Sequence, residues 1–226
     1  MNFAIVGCGF IGNKRASCLQ PEGTLVVAAD VNVERAEVLA APYHAQATND
    51  FRWAATHPDV DAVIVATTHD QLIEVAMAAV RANKHVLLEK PGARNPAELA
   101  RLHEAATVQG VRVHVGFNHR FHPALAKAKE IIDSGVLGPL YYIRGRYGHG
   151  GRPGYESEWR AAPEISGGGQ LLDQGAHLID LSLWYFGKPF TRIAGDLVTY
   201  YWDMPVEDNE FLTCATESNQ IEHVHV

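Results

Sequence analysis

Phe3-Ala4-Ile5-Val6-Gly7-Cys8-Gly9-Phe10-Ile11-Gly12 decides how the rest of the chain is read. The apolar run from Phe3 to Val6 has the length and composition of a buried strand, and it stops at Gly7. Gly7, Gly9 and Gly12 then fall at the G-x-G-x-x-G spacing, ahead of a stretch from Asn13 to Leu19 that reads as a helix. Gly7 permits a tight turn, Gly9 lets backbone approach a pyrophosphate, and Gly12 lets the helix lie close to the sheet. The helix start adds free N–H groups and the positive end of a dipole. A second strand, Leu25 to Ala29, closes on Asp30, the acidic residue that the motif requires roughly twenty positions on. A carboxylate there accepts hydrogen bonds from ribose hydroxyls and repels a 2′-phosphate, which favours NAD over NADP. Arg35 is close enough in sequence to soften that preference.

Strands and helices alternate outward from this unit. Asn32 can cap a helix from Val33 to Ala41, stopped by Pro42, and His44 to Ala47 is a short strand. Asp50 caps a short helix through Phe51 and Trp53. Ala62-Val63-Ile64-Val65-Ala66 is a near-continuous apolar strand of the kind found in sheets covered on both faces. Thr67 to Asp70 reads as a loop, Gln71 to Ala82 as a helix and His85 to Leu88 as a strand. Asn95-Pro96-Ala97-Glu98 combines a cap, a first-turn proline and a glutamate three residues after the cap, so it starts a helix that runs to Gly110. Strand Val111 to Phe117 completes the pattern. This alternation predicts an α/β fold with a doubly wound parallel sheet and right-handed crossovers, over residues 1–118. Ligands on such sheets bind outside the carboxyl ends of the strands. The candidate cofactor-binding residues are therefore Gly7, Gly9, Phe10, Ile11, Gly12, Asp30, Ala66, Thr67, His69, Glu89, Lys90 and Asn118.

The texture changes after Asn118. A helix from Ala124 to Ile132 precedes a strand, Leu140 to Tyr147, with Arg144 and Arg146 on one face. An irregular loop, Gly148 to Pro163, holds Arg152, Tyr155, Trp159 and Arg160. Ser166-Gly167-Gly168-Gly169 opens a helix to Phe186, and strands follow at Ile193–Tyr200, Phe211–Thr216 and Ile221–Val226. Residues 119–226 are thus expected to form an α+β domain with a mostly antiparallel sheet. The last strand alternates cleanly and stops mid-pattern, so this domain is expected to be incomplete, a truncated C-terminal part.

Composition narrows the function classes. Of 226 residues, 47% are hydrophobic and 20% charged, enough to bury a core. The net charge of -7 and the lack of a Lys/Arg run argue against nucleic-acid partners. No apolar run reaches the length of a membrane span, and the N-terminus enters a strand without a signal-peptide pattern. Cys8, Cys18 and Cys214 follow neither disulfide nor zinc logic, which suits a reducing cytoplasm. His119/His122 and His223/His225 have workable ligand spacing but no accompanying carboxylate or cysteine cluster, so no metal is expected.

Two stretches carry chemistry. Glu89-Lys90-Pro91 ends a strand, and the proline holds Lys90 extended, where an ammonium can polarise a substrate hydroxyl or carbonyl. In Gln170-Leu171-Leu172-Asp173-Gln174-Gly175-Ala176-His177, Asp173 and His177 are four apart and share a helix face, which Asp180 extends. The pair is either a surface contact worth a few tenths of a kcal/mol or a carboxylate orienting a general base. The aromatic and arginine-rich loop is either a sugar- or nucleotide-stacking surface or plain exterior.

Taken together, the Gly7–Gly12 fingerprint, Glu89-Lys90-Pro91, Val115-Gly116-Phe117-Asn118-His119-Arg120-Phe121 and Gly167-Gly168-Gly169 through Asp173 to His177 resemble the Gfo/Idh/MocA family, the glucose–fructose oxidoreductase and inositol dehydrogenase relatives. The resemblance covers essentially the whole chain. It implies an N-terminal Rossmann domain and a C-terminal domain that shapes the substrate pocket and supports a homo-oligomer in the full-length form. It also implies hydride transfer between a nicotinamide cofactor and a secondary hydroxyl or ketone of a sugar, cyclitol or nucleotide sugar. Lys90, Asp173 and His177 would be catalytic, His177 taking the proton. The Lys90–Pro91 bond would be cis, and Trp159-Arg160 matches a Trp-Arg pair the family carries. Thr67-Thr68 departs from the family's Thr-Pro, and Leu72 stands where a histidine is common. Two rival readings are a NAD-dependent glycosidase of the same family and a dinucleotide-binding protein without turnover.

Overall fold

The computed structural model describes residues 1–226, which form two compact units, Met1–Gly116 and Phe117–Val226. In the first, strands β1 (Asn2–Val6), β2 (Thr24–Ala29), β3 (Gln46–Thr48), β4 (Ala62–Val65), β5 (His85–Leu88) and β6 (Val113–Val115) build one sheet in the order β3-β2-β1-β4-β5-β6. Every pairing is parallel. The alternation of side chains explains why the strands are apolar throughout. Ala4, Val6, Val63 and Val65 point to one face, with Ala54 from α3 (Phe51–Thr56), Leu72 and Val75 from α4 (His69–Arg81) and Leu102 from α5 (Pro96–Gln109). Ile5, Ala28 and Ile64 point to the other, with Ala16 from α1 (Phe10–Ala16) and Ala36 and Leu39 from α2 (Val33–Ala40). Both faces are buried, as a doubly wound sheet demands.

Capping was legible in the sequence. Asn32 accepts from the N–H groups of Glu34 and Arg35, Asp50 from Arg52 and Trp53, and Asn95 from Glu98. Several boundaries differ from expectation, β6 being shorter than the Val111–Phe117 run at both ends. Helix α1 starts at Phe10 rather than Asn13, because Gly9 serves as its cap; the Asn13 amide sits inside the helix and donates back to the Cys8 and Gly9 carbonyls at 2.9 and 3.0 Å. Helix α4 starts at His69, so His69 opens a helix rather than lying in the preceding loop, and its side chain is buried. Strand β3 is shifted to Gln46–Thr48, since a short 3₁₀ turn over Ala41–Tyr43 uses up the chain before it.

In the second unit, β7 (Tyr142–Arg146), β8 (Phe190–Val198), β9 (Asn209–Thr216) and β10 (Ile221–His225) form a sheet in the order β7-β10-β9-β8. The β10–β7 pair is parallel and the other two are antiparallel. Leu212, Cys214 and Val224 on one face pack with Leu178 and Ile179 of α8 (Ala176–Phe186). Helix α6 (Pro123–Asp133) and the short α7 (Pro163–Ser166) complete the unit.

The helix expected from the glycine run to Phe186 runs without a break from Gln170, but its first turn is not α-helical. Leu171–Gly175 forms a π-helical turn, and regular α8 begins only at Ala176. Glycine has the weakest hold on α geometry, and the chain around Gly169 is fixed from outside. Glu207 accepts from the N–H groups of Gly169 and Leu171 at 3.0 and 3.3 Å. A Cβ on Gly169 would lie 2.0 Å from the Glu207 carbonyl oxygen, so only glycine fits there.

Candidate active site

In the first unit, chain order reverses between β1 and β4, and their carboxyl ends carry the glycine loop and Ala66-Thr67. This is the switch point at which open parallel sheets bind ligands. Gly7 has φ +96°, and a Cβ on it would meet the Ala66 carbonyl oxygen at 2.4 Å. A Cβ on Gly12 would lie 2.0 Å from the Gly7 carbonyl oxygen, which is the close helix–strand approach read from the sequence. Gly9 differs in kind, since nothing lies within 4 Å of a Cβ there and the space above it is open. That space belongs to a cavity of about 670 Å³ lined by Cys8, Gly9, Phe10, Asn13, Asn32 and Arg35, among others. Phe10, 82% exposed, and the half-exposed Ile11 stand at the start of α1.

Asp30 is tied to this loop. Its carboxylate accepts from the Cys8 N–H at 2.7 Å and from the Asn32 N–H at 2.9 Å, leaving further lone pairs for a ligand. Burial pushes the Cys8 thiol up to about 12, and the nearby Asp30 charge adds to the rise, so it is no nucleophile near neutral pH. At the end of β4, the Thr68 hydroxyl donates to Asp70 at 2.6 Å and Gln71 donates to the same carboxylate at 2.7 Å. Burial alone would raise the Asp70 carboxyl; these two hydrogen bonds, with a backbone hydrogen bond and the Arg94 charge, outweigh it and hold the group below its ordinary value.

Glu89 and Lys90 end β5. The buried Glu89 carboxylate receives Arg15 of α1 at 2.5 Å, a partner no local pattern announced. Gly116 leaves room for the pair, its Cβ position being 3.2 Å from an Arg15 nitrogen and 3.4 Å from Glu89 Oε1. The Lys90–Pro91 bond is cis.

Asn118, expected at the end of the last parallel strand, falls in the second unit, where it opens a 3₁₀ turn over Asn118–Phe121. Arg120 of this turn makes a two-pronged ion pair with Asp180, at 2.7 and 2.5 Å. Asp180, three residues beyond His177 on α8, is thereby anchored to that turn. Asp173 lies in the π turn and His177 in the first turn of α8, four residues on along the same helical run. Both side chains are buried. Asp173 accepts from Arg160 Nε at 3.2 Å and from the Gln174 amide at 3.1 Å. Arg160 in turn lies over the Trp159 ring and reaches Glu158, which also holds Arg152. Tyr155 accepts from the Gln170 amide at 2.5 Å, and burial followed by the Asp173 charge raises its phenol. The aromatic and arginine-rich loop is thus fastened to the segment that carries Asp173.

His177 is ringed by aromatic groups. His119 stacks on it at 3.9 Å between centroids, while Phe117 and Tyr147 stand edge-on, each at 6.2 Å. His119 and His122, paired in sequence as possible ligands, are put to different uses: His122 Nδ1 accepts from the Ala124 N–H at the start of α6. His223 bonds the Tyr142 hydroxyl, and His225 stacks on Phe211. No helix is long and apolar enough to cross a membrane.

Residues 1–117 match the oxidoreductase family with an NAD-binding Rossmann fold, GFO_IDH_MocA, and residues 125–226 match the GFO/IDH/MocA C-terminal domain. Levoglucosan dehydrogenase of Pseudarthrobacter phenanthrenivorans is 30% identical over 220 residues, covering 92% of this chain and 56% of that protein. Inositol 2-dehydrogenase 2 of Saccharopolyspora erythraea is 30% identical over 241 residues, covering 100% of this chain and 66% of that protein. Among solved structures, GenD2 from gentamicin A biosynthesis in complex with NAD superposes with a TM-score of 0.93 at 27% identity, over 100% of this chain and 65% of that one. Levoglucosan dehydrogenase in complex with NADH and levoglucosan gives 0.91 at 27% identity, over 100% and 66%. The chain therefore spans between about half and two-thirds of the length of these relatives.

Proposed function

The chain belongs to the Gfo/Idh/MocA oxidoreductase family, and from that premise we propose that it is the cofactor-binding and catalytic portion of an NAD-dependent dehydrogenase acting on a secondary hydroxyl of a sugar, anhydrosugar or cyclitol. The observation that carries this reading is the glycine loop. Gly7 and Gly12 are locked by neighbouring backbone, while Gly9 opens onto a large cavity. Such a loop fits a pyrophosphate passing over Gly9, with Asp30 beside it for the ribose hydroxyls. Gly7, Gly9, Phe10, Ile11, Gly12 and Asp30 would hold the dinucleotide, with Ala66, Thr67, His69, Glu89, Lys90 and Asn118 toward its nicotinamide end.

Bound NAD supplies the hydride acceptor. The chain's own groups handle the proton and the charge. His177, its ring braced by aromatic neighbours, takes the proton from the substrate hydroxyl oxygen. Asp173, fixed by Arg160, supports the charge that the imidazole then carries. The Lys90 ammonium, at the end of β5, would stabilise negative charge that develops on a substrate oxygen. The named activities of the relatives, on levoglucosan and inositol, support this substrate class. A cytoplasmic location and a homo-oligomeric full-length protein belong to the same proposal.

The test is NADH formation, followed by absorbance, across inositols, anhydrosugars, glycosides and nucleotide sugars, alongside calorimetric titration with NAD. Turnover of one of these classes supports the reading. NAD binding with no turnover of any of them would leave a nucleotide-holding protein, and the dehydrogenase reading would be abandoned.

A further inference from the structure

The helical run that carries Asp173 and His177 starts at Gln170, and its entry is held by one distant residue. The N–H groups of Gly169 and Leu171 both donate to Glu207 Oε1, at 3.0 and 3.3 Å. The Gln170 N–H between them donates to the Glu207 main-chain carbonyl at 3.1 Å. The first N–H groups of a helix have no partner within it, and a side chain just ahead of the helix ordinarily takes them. Here the residues just ahead are Gly167, Gly168 and Gly169, which have no side chain to offer. Glu207 supplies the cap instead, thirty-six residues beyond Leu171, and its carboxylate suits the positive end of the helix dipole. We propose that Glu207 is a positioning residue for Asp173, fixing where the helical run starts and so where the Asp173 carboxylate is presented. This rests on the reading of Asp173 as the group that supports His177 in proton transfer.

The connection is short and made of backbone. Gly169 donates to Glu207 through its N–H and accepts from the Asp173 N–H through its carbonyl, at 3.1 Å. A shift at Gly169 therefore reaches Asp173 across a single hydrogen bond. Glu207 is itself braced. The next residue, Asp208, accepts from the N–H groups of Tyr200, Tyr201 and Trp202 at 2.8, 2.8 and 2.9 Å, which closes the loop between β8 and β9. The Thr199 hydroxyl donates to the carbonyl of the buried Val206 at 3.1 Å. A loop tied in this way holds Glu207 in one place, as a group that orients another must be held. At the other end of the connection, Asp173 accepts from Arg160 Nε at 3.2 Å. Displacing the carboxylate by about 1 Å along that line would break the bond.

Nitrogen-15 NMR of the chain reads this without turnover, through the Gly169 and Leu171 amides and the Arg160 Nε–H, which reports on Asp173. Glu207→Ala removes the side-chain acceptor, and Glu207→Asp keeps its charge but shortens its reach by one methylene. In both, the two amides should exchange with solvent at least about tenfold faster, the worth of a lost cap. The Arg160 Nε–H signal should move and exchange faster as well. Glu207→Gln keeps an oxygen in the same place and should hold all three signals near their wild-type values. The amides of Leu212 and Val224, in β9 and β10, are the reference for a folded chain; if Glu207→Ala does not fold, Glu207→Asp decides. A role confined to helix stability would speed the two amides and leave Arg160 Nε–H where it is. That result in a folded variant would overturn the proposal, as would unchanged amides. In a full-length enzyme that turns over, Glu207→Ala should also lower kcat about tenfold or more, with the KM for NAD unchanged. A moved Arg160 signal with an unchanged kcat would uphold Glu207 as the holder of Asp173 and count against the catalytic role given to Asp173.

Discussion

Arg15 and Glu89, seventy-four residues apart, are joined at 2.5 Å, tying the first helix of the glycine loop to the strand end that carries Lys90. Both side chains are mostly shielded, at 22% and 12% exposure. Arg15→Ala should therefore leave a carboxylate largely out of water and cost about 1–3 kcal/mol. Adding Glu89→Gln removes the stranded charge, so the double variant should be more stable than Arg15→Ala alone. Urea denaturation of the wild type, both singles and the double closes the cycle. Additive effects would mean that the two side chains do not couple.

Gly9 and Gly12 lie in one motif yet should fail in different ways. A methyl group at Gly12 would collide with the Gly7 carbonyl, so Gly12→Ala should destabilise the first unit by about 1–3 kcal/mol. At Gly9 a methyl group meets nothing, so Gly9→Ala should keep the wild-type melting temperature. It should nonetheless bind NAD about tenfold more weakly or worse, because the methyl occupies the pyrophosphate's approach. Thermal melts and NAD titrations on the two variants check this. A Gly9→Ala protein that binds NAD normally would place the phosphates elsewhere.

That contrast shows what a sequence can disclose. The alternation of strand and helix, the three side-chain caps and the glycine spacing are local, so they were readable, and Asp30 followed from them. Arg15 was not readable as the partner of Glu89, because nothing in the intervening chain specifies that approach. The π turn at Leu171–Gly175 was not readable from the Asp173–His177 spacing, nor was the hold of Glu207, more than thirty residues on, over the chain that enters it. His119 and His122 have ligand spacing but no accompanying carboxylate or cysteine, so no metal was expected of them; only the fold could place His119 on His177.

The proposed function gives Asp30 a second task beside its hold on the Cys8 N–H, and one substitution should separate the two. Asp30→Asn keeps an acceptor for the Cys8 N–H while removing the charge that opposes a 2′-phosphate. It should narrow the preference for NAD over NADP with little change in stability. Asp30→Ala should also loosen the loop and raise the NAD KM. Steady-state kinetics with both cofactors, on a full-length enzyme that turns over, distinguishes the two. An unchanged cofactor ratio in Asp30→Asn would remove Asp30 from cofactor selection.

Lys90→Ala and His177→Ala should each reduce kcat by at least about a hundredfold, the usual worth of an electrostatic or acid–base group. NAD affinity should survive in His177→Ala, since His177 lies outside the unit that carries the glycine loop. Stopped-flow NADH formation together with NAD titration reads both quantities. A near-normal rate in either variant would strike that residue from the mechanism.

Glu210 and Glu222 are fully buried on one face of the second sheet, on β9 and β10. Neither oxygen of Glu210 has a hydrogen-bond partner, while Glu222 accepts from Ser182. Burial pushes Glu210 up to about 8, with the charge of Glu207 adding to it, and burial takes Glu222 to about 7. Because the folded values are raised, the folded protein keeps protons that the unfolded chain begins to lose near pH 4.5. The contribution of these groups should therefore be greatest below pH 4.5, be lost progressively, by roughly a few kcal/mol in total, as pH rises from there to about 7 and 8, and level off above that. Glu210→Gln, which needs no proton, should flatten the fall and melt higher than the wild type at pH 9. Melting curves between pH 5 and 9 for both proteins test it. A wild type as stable at pH 9 as at pH 5 would mean that these carboxyls ionise in the folded state without cost.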